Sequence, residues 1–287
     1  MSSTTRTRTR TTRATSLTAV GDKERLAQVV PDALAALHEV LKRHDVREDE
    51  WMAVLQFLTE VGKADEFVLL SDVTRTSVLL DALSHREDDE ATPSDVEGPL
   101  YVDDPPWREA PVKIYEEYEG SEEGEVLFVR GTVTSTDGTP LPGAVIDIWQ
   151  TGPNGGYDIW DERQPEFNFR GKFKPAESGD YEFQTMLPQP YTVPTEGPVG
   201  RYLEMVDQHP WRPAHIHFKV SADGHEPLIT QVFFAGDPYL DNDTIGAVKE
   251  SLVRSPERHD DEAELKERGR DQPFLTCDFD IRLRPAG

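Results

Sequence analysis

One cysteine, Cys277, is all that 287 residues provide, which excludes an intrachain disulfide and a cysteine-based metal site. Apolar runs are short. None approaches the ~18 residues that a bilayer-spanning helix needs, so no membrane span is expected. Basic residues are scarce beside acidic ones, 30 Lys and Arg against 55 Asp and Glu, for a formal charge of -25. Such a surface repels phosphate backbones and anionic bilayers, so neither nucleic acid nor membrane is an expected partner. The first residues lack the apolar core of a secretory signal, and a cytoplasmic protein is expected. Five Trp and twelve Phe, set among patterned Val, Leu and Ile, mark a folded chain rather than a disordered acidic one. The acidic excess then reads as a heavily solvated skin suited to a salt-rich, halophilic setting.

The pattern along the chain divides it in three. Residues 1–18, rich in Ser, Thr and Arg, read as a disordered basic tail. Residues 19–90 are helical in period. Leu26, Val29, Val30, Leu34, Leu37, Val40 and Leu41 recur at steps of three and four, a second helix fits Glu48–Val61, and a third fits Glu66–Leu83. Residues 91–287 change to short β-branched runs between Gly, Pro and Asp clusters. The expected strands are Val126–Val133, Ala144–Trp149, Asp180–Met186, Ile216–Val220, Leu228–Phe234 and Phe274–Leu283, spaced as in a β-sandwich. The charged segment Ser255–Gln272 is expected to be an inserted loop or short helix.

Candidate chemistry centres on the run Arg212–Phe218. On a strand, alternate side chains share a face, so His215 and His217 point the same way and can ligate one metal ion. A bare pair of this kind is not diagnostic. A carboxylate would complete a ferrous facial triad, but nothing near the pair singles one acid out. Tyr157 and Tyr191 are better placed, in turn-rich loops beside β segments, where functional groups collect. A phenol of ordinary pKa, ~10, is neutral at pH 7. A trivalent metal would ionise it, and hard phenolate oxygens would hold iron in the ferric state. Ordinary aromatic packing is the competing reading of both tyrosines.

The runs Trp211–Phe218, Glu97–Tyr101, Gly197–Gly200, Leu141–Trp149 and Phe233–Leu240 resemble signatures of the intradiol ring-cleavage dioxygenases. They stand in that family's order across nearly the whole chain. The resemblance implies a mainly β protein: a β-sandwich catalytic core, residues 91–287, behind an N-terminal α-helical dimerisation region, residues 19–90. It implies Fe(3+) held by Tyr157, Tyr191, His215 and His217, with a hydroxide completing the site. Arg212 and Gln231 match the family's active-site arginine and glutamine, and Tyr191 its displaceable, proton-accepting ligand. The implied pocket wall is Leu69, Asp72, Val96, Gly98, Pro99, Leu100, Val193 and Pro194. The implied reaction opens a catechol-type ring between its hydroxyls with O2, giving a cis,cis-muconate-type product. A homodimer joined by the N-terminal helices, with a phospholipid between them, is implied as well.

Within the family, Glu66–Val73, Glu166–Gly171 and Pro190–Gly200 look most like the hydroxyquinol and chlorocatechol branches, whereas Glu97 and Gln231 fit the catechol branch. Asp72 could accept a hydrogen bond from the third hydroxyl of hydroxyquinol and would be poorly paired against catechol. Hydroxyquinol or a substituted catechol is therefore the expected substrate. A different class of function is set against this reading. The hairpin Gly131–Val145 resembles those of non-catalytic β-sandwich modules, which lack the two tyrosines and the histidine pair.

Overall fold

A computed structural model describes residues 23–85, 90–121 and 124–287; the basic tail expected over residues 1–18 lies outside them. By its contacts the chain divides into two compact units, meeting between Phe67 and Val68.

The first unit carries α1 (Lys23–Arg43) and α2 (Glu48–Lys63). Glu24 in the first turn of α1 and Lys42 and Arg43 in its last complement the helix dipole. Asp45, in the left-handed region, ends the helix, and Val46 N–H donates back to Leu41 at 3.0 Å. The Glu50 carboxylate then accepts from the Arg47 backbone N–H at 2.9 Å, half of the capping box that starts α2. No residue of α1 is buried, and the stripe Val29, Val30, Leu34, Leu37 and Val40 is exposed.

The single helix expected over Glu66–Leu83 is instead two, α3 (Phe67–Val73) and α4 (Thr76–Ser84). Arg75 breaks them, at φ 59°, while the Thr74 hydroxyl donates to the Leu70 carbonyl at 2.8 Å and satisfies the frayed turn.

The second unit is a β-sandwich. Its strands are β1 (Val112–Lys113), β2 (Val126–Ser135), β3 (Val145–Gln150), β4 (Arg170–Phe173), β5 (Asp180–Met186), β6 (Tyr191–Thr192), β7 (Trp211–Arg212), β8 (His215–Ser221), β9 (Leu228–Phe234), β10 (Val253–Arg254), β11 (Glu257–His259), β12 (Phe274–Asp278) and β13 (Ile281–Leu283). One sheet runs β10-β9-β8-β3-β4. The other runs β1-β5-β2-β12-β11, with β13 also on β2, and β6 and β7 form a separate ribbon. Alternation sends Ile146, Ile148, Ile216, Phe218 and Val220 inward, all fully buried. Phe218 meets Phe183 and Phe279 of the facing sheet at 6.0 and 5.0 Å between ring centres.

The run Phe274–Leu283, expected as one strand, is broken at Phe279 and Asp280. There the chain crosses Gly131 of β2, where a Cβ would sit 2.2 Å from the Phe279 carbonyl oxygen. Asp280 turns its carboxylate to the Thr132 N–H at 2.9 Å, replacing the lost ladder bond. The charged segment Ser255–Gln272 supplies β11 and a short helix, Glu262–Glu267, capped by Asp261. The helix Pro198–Met205 was not anticipated. It starts with proline in its first turn, and a Cβ at Gly200 would lie 1.8 Å from the Thr195 carbonyl oxygen.

Candidate metal centre

Four strands place one rung of side chains across the sheet. Gln231 of β9 pairs with His217 of β8, His217 with Trp149 of β3, and Trp149 with Arg170 of β4. This rung faces away from the sandwich interior, by the same alternation that buries Phe218 and Ile148 on the other side. His215 lies two residues from His217, and the β6–β7 ribbon brings Tyr191 opposite Arg212.

The two imidazoles converge, with Nε2 of His215 3.1 Å from Nε2 of His217. Nδ1 of His215 lies 2.7 Å from the Pro213 carbonyl oxygen. That contact needs a proton on Nδ1 and leaves Nε2 with its lone pair. Burial drives both histidines well below the usual imidazole range, assisted by the Arg212 cation and, for His217, by His215. Both are thus neutral, the form in which imidazole binds metal.

The phenols close the other side. Tyr157 and Tyr191 stand edge to face with ring centres 5.5 Å apart, and Tyr191 is 5.6 Å from His215. Burial raises both phenols, Tyr157 with help from Tyr191; for Tyr191, Arg212 works the other way. Gly155 lets the two tyrosine loops touch. At φ 74°, its Cβ position would lie 3.0 Å from the Pro190 carbonyl oxygen and 3.6 Å from Tyr191 Cβ.

Arg212 is buried at 3 % exposure. It directs Nη1 at His215 Nε2 (3.1 Å), Nη2 at Gln231 Oε1 (3.1 Å) and Nε at Asp243 Oδ1 (3.1 Å). Gln231 in turn donates Nε2 to the Val96 carbonyl at 3.1 Å. Of the other pocket residues expected, Gly98 presents its α-carbon toward His217, with a Cβ position 3.9 Å from Cε1. Leu100 packs with Trp149, Tyr157 and Tyr191, and its carbonyl accepts from Arg170 at 2.8 Å. Val193 is buried beside Tyr191 in sequence, and Pro194 follows it, partly buried like Pro99. Leu69 and Asp72 turn inward from α3, at 4 % and 2 % exposure. Sequence reasoning missed Trp149, which stacks on His217, and the fully buried Asp158–Arg170 ion pair, 2.6 Å long, with Arg170 5.4 Å from the centre of the Tyr157 ring. It also missed Asp243.

These donors fit a metal. Two neutral imidazoles converge at Nε2, and among the described residues the buried Tyr157 hydroxyl finds no hydrogen-bond partner, a costly state unless another group completes it. Among the described residues no three His, Cys, Asp or Glu side chains are grouped so as to hold a metal ion. A facial triad of two histidines and a carboxylate is therefore not built here.

Comparison with known proteins decides the family. Residues 96–285 match the model described as "Dioxygenase", and residues 23–92 the model "Catechol dioxygenase N terminus". The chain belongs to the intradiol ring-cleavage dioxygenases. A hydroxyquinol 1,2-dioxygenase of Rhizobium sp. (strain MTP-10005) is 40 % identical, with 91 % of this chain and 90 % of that protein covered. A 6-chlorohydroxyquinol 1,2-dioxygenase of Cupriavidus pinatubonensis is 36 % identical, with 91 % of each covered. The crystal structure of wild-type Acinetobacter radioresistens catechol 1,2-dioxygenase superposes with a TM-score of 0.84 at 32 % identity, over 93 % of this chain and 88 % of that one. Intradiol dioxygenases use iron. Among the described residues, no helix is long and apolar enough to cross a membrane.

Proposed function

We propose that this chain is a ferric intradiol dioxygenase that opens a catechol-type ring between its two hydroxyls with O2, with hydroxyquinol or a substituted catechol as substrate. The observation that carries the reading is the convergence of two neutral imidazoles, 3.1 Å apart at Nε2, beside two buried phenols. That donor set is suited to a hard trivalent ion. Tyr157, Tyr191, His215 and His217 would hold the iron. Bound iron supplies Lewis-acid polarisation and a sink for electron density from the ring.

The chain's own groups do the rest. Tyr191, opposite Arg212 on the ribbon, would take a proton from an arriving catechol. Arg212 remains cationic: burial works against it, and Asp243, Tyr191 and Asp95 together more than outweigh that cost. Its Nη1, aimed into the site, can stabilise negative charge developing on the ring. Gln231, fixed between Arg212 and the Val96 carbonyl, cannot rotate away and so shapes the side of the pocket. Leu100, Val193 and Pro194 with Val96, Gly98 and Pro99 form its wall, and Leu69 and Asp72 of α3 contribute the substrate-selective part. The names of the two curated relatives above support a hydroxylated ring over catechol itself.

The helical region, residues 19–90, would join two copies in a cytoplasmic homodimer, with an apolar lipid chain held between them. The exposed apolar stripe of α1 supports that arrangement, and light scattering at the mass of one chain would remove it.

A visible spectrum of the purified protein, before and after anaerobic catechol, tests the central reading. Tyrosinate bound to ferric iron gives a broad charge-transfer band, and bidentate substrate shifts it. A protein still colourless after ferric reconstitution would overturn the ligand assignment.

A further inference from the structure

We propose that Asp243 is a positioning residue for the ring-opening reaction, acting by fixing the direction of the Arg212 guanidinium. The inference rests on the role given to Arg212 above. Asp243 is buried, with its side chain at 1 % exposure. It takes Arg212 in a fork: Oδ1 accepts from Nε at 3.1 Å and Oδ2 from Nη2 at 3.3 Å. A two-point grip on a planar group fixes its plane as well as its position. With Nε and Nη2 committed, the remaining nitrogen, Nη1, is left facing His215 Nε2 at 3.1 Å. Rotation of Arg212 by one rotamer would withdraw its charge from the place where the ring must lie.

Asp243 is itself held. Its carboxylate oxygens accept from the Ile245 N–H at 3.4 Å and the Ala247 N–H at 3.0 Å, and its carbonyl accepts from Gly246 at 2.9 Å. The next residue ties this loop to the strand that carries Arg212, since Thr244 N–H donates to the Trp211 carbonyl at 3.1 Å. Gly246 is in the left-handed region, and a Cβ there would lie 3.1 Å from Nε of Arg75. The Asp243 loop thus lies between Arg212 and the α3–α4 break, whose Arg75 follows Asp72 by three residues and Leu69 by six. An aspartate serving only to neutralise a buried cation would need none of this bracing.

A double-mutant cycle separates the two roles. Asp243→Asn keeps the shape and one acceptor oxygen. In iron-loaded enzyme it should lower kcat by about tenfold to a hundredfold, the scale of losing one oriented charge, while KM changes less than about threefold. Its iron content and tyrosinate band should match wild type. In an Arg212→Ala background the same substitution should cost nothing further. If Asp243→Asn leaves kcat unchanged while Arg212→Ala lowers it, the positioning role is wrong. If Asp243→Asn costs as much with Arg212 absent as with it present, Asp243 acts by some other route and the proposal is overturned. An Arg212→Ala enzyme of full activity would instead sink the reading of Arg212. Should Asp243→Asn fail to fold, Asp243→Glu replaces it. Glu keeps the charge and lengthens the arm, so a folded, iron-loaded variant with wild-type kcat would equally overturn the proposal.

Discussion

Trp149 lies flat against His217: the ring centres are 4.6 Å apart and the planes 6° from parallel. The two histidines are therefore oriented by different means. His215 is fixed by Nδ1 at the Pro213 carbonyl, whereas among the described residues Nδ1 of His217 finds no partner. Its plane is set by the indole stacked on it. Groups that orient a metal-binding imidazole typically change metal affinity by about tenfold to a hundredfold. Trp149→Leu should lower iron retention under chelator challenge by about tenfold and stability by about 3 kcal/mol. Trp149→Phe, which keeps a flat ring, should retain most of the iron. Equal retention in wild type and Trp149→Leu would show that stacking does not orient His217.

Beneath Tyr157, Asp158 and Arg170 form an ion pair at 2.6 Å with side chains at 0 % and 1 % exposure. Removing one member of such a pair leaves a buried charge and typically costs about 3–5 kcal/mol. Asp158→Asn should lower Tm by on the order of ten degrees. The double variant Asp158→Leu/Arg170→Met should recover part of that loss, because neither charge is then stranded. A double variant less stable than the sum of the two single losses would point instead to the Arg170–Leu100 hydrogen bond as the larger contribution.

Asp72, expected in the pocket wall, is at 2 % exposure. A third ring hydroxyl that reaches this buried acceptor would gain a hydrogen bond that catechol cannot make. Asp72→Ala should shift the kcat/KM ratio of hydroxyquinol to catechol toward catechol by at least about tenfold. An unchanged ratio would remove Asp72 from substrate choice.

The period-two pattern made most of the sheet legible, and Asp180–Met186 and Leu228–Phe234 are strands with the expected bounds. The histidine pair was legible for the same reason, because alternation along β8 requires one shared face. What the sequence hid depends on partners far along the chain. The break at Phe279 exists because β2 carries Gly131 opposite it, and the helix break at Arg75 depends on a left-handed residue with no glycine to signal it. Asp243 looks like one acid among 55 Asp and Glu; only the fold brings it to Arg212, 31 residues away. Trp149 and Arg170 share the rung of His217 through strand register, which no local pattern encodes.

The acidic skin should make stability depend on salt. With a formal charge of -25, self-repulsion opposes the compact state, and the screening length falls from ~30 Å at 0.01 M to ~3 Å at 1 M salt. Tm should rise with KCl across that range and fall again on dialysis. A Tm independent of KCl would mean that the surface charges are locally compensated and that no adaptation to salt is present.

Asp147 gives a pH dependence of defined sign. It is nearly buried on β3, between Lys219 and Lys172 on its two neighbouring strands, and accepts from the Tyr101 hydroxyl at 3.0 Å. Burial pushes its carboxyl up to about 7, with Tyr101 and the two lysines pulling the other way. In the unfolded chain an aspartate titrates near ~4. Below that, both states are protonated and Asp147 costs nothing. As pH rises toward 7 the unfolded chain releases the proton first, so folding is progressively disfavoured, and above 7 the penalty is constant. At about 1.4 kcal/mol per pKa unit, its upper bound is about 4 kcal/mol. Asp147→Asn keeps an acceptor for Tyr101 and removes the titration. Its Tm should lie close to wild type at pH 4, and the gap should widen with pH to several degrees above wild type at pH 8. Because the buried Asp95, also pushed up to about 7, is present in both proteins, its contribution cancels in the difference. A Tm difference that stays constant from pH 5 to pH 8 would show that Asp147 is already ionised in the folded protein, held so by Lys219 and Lys172.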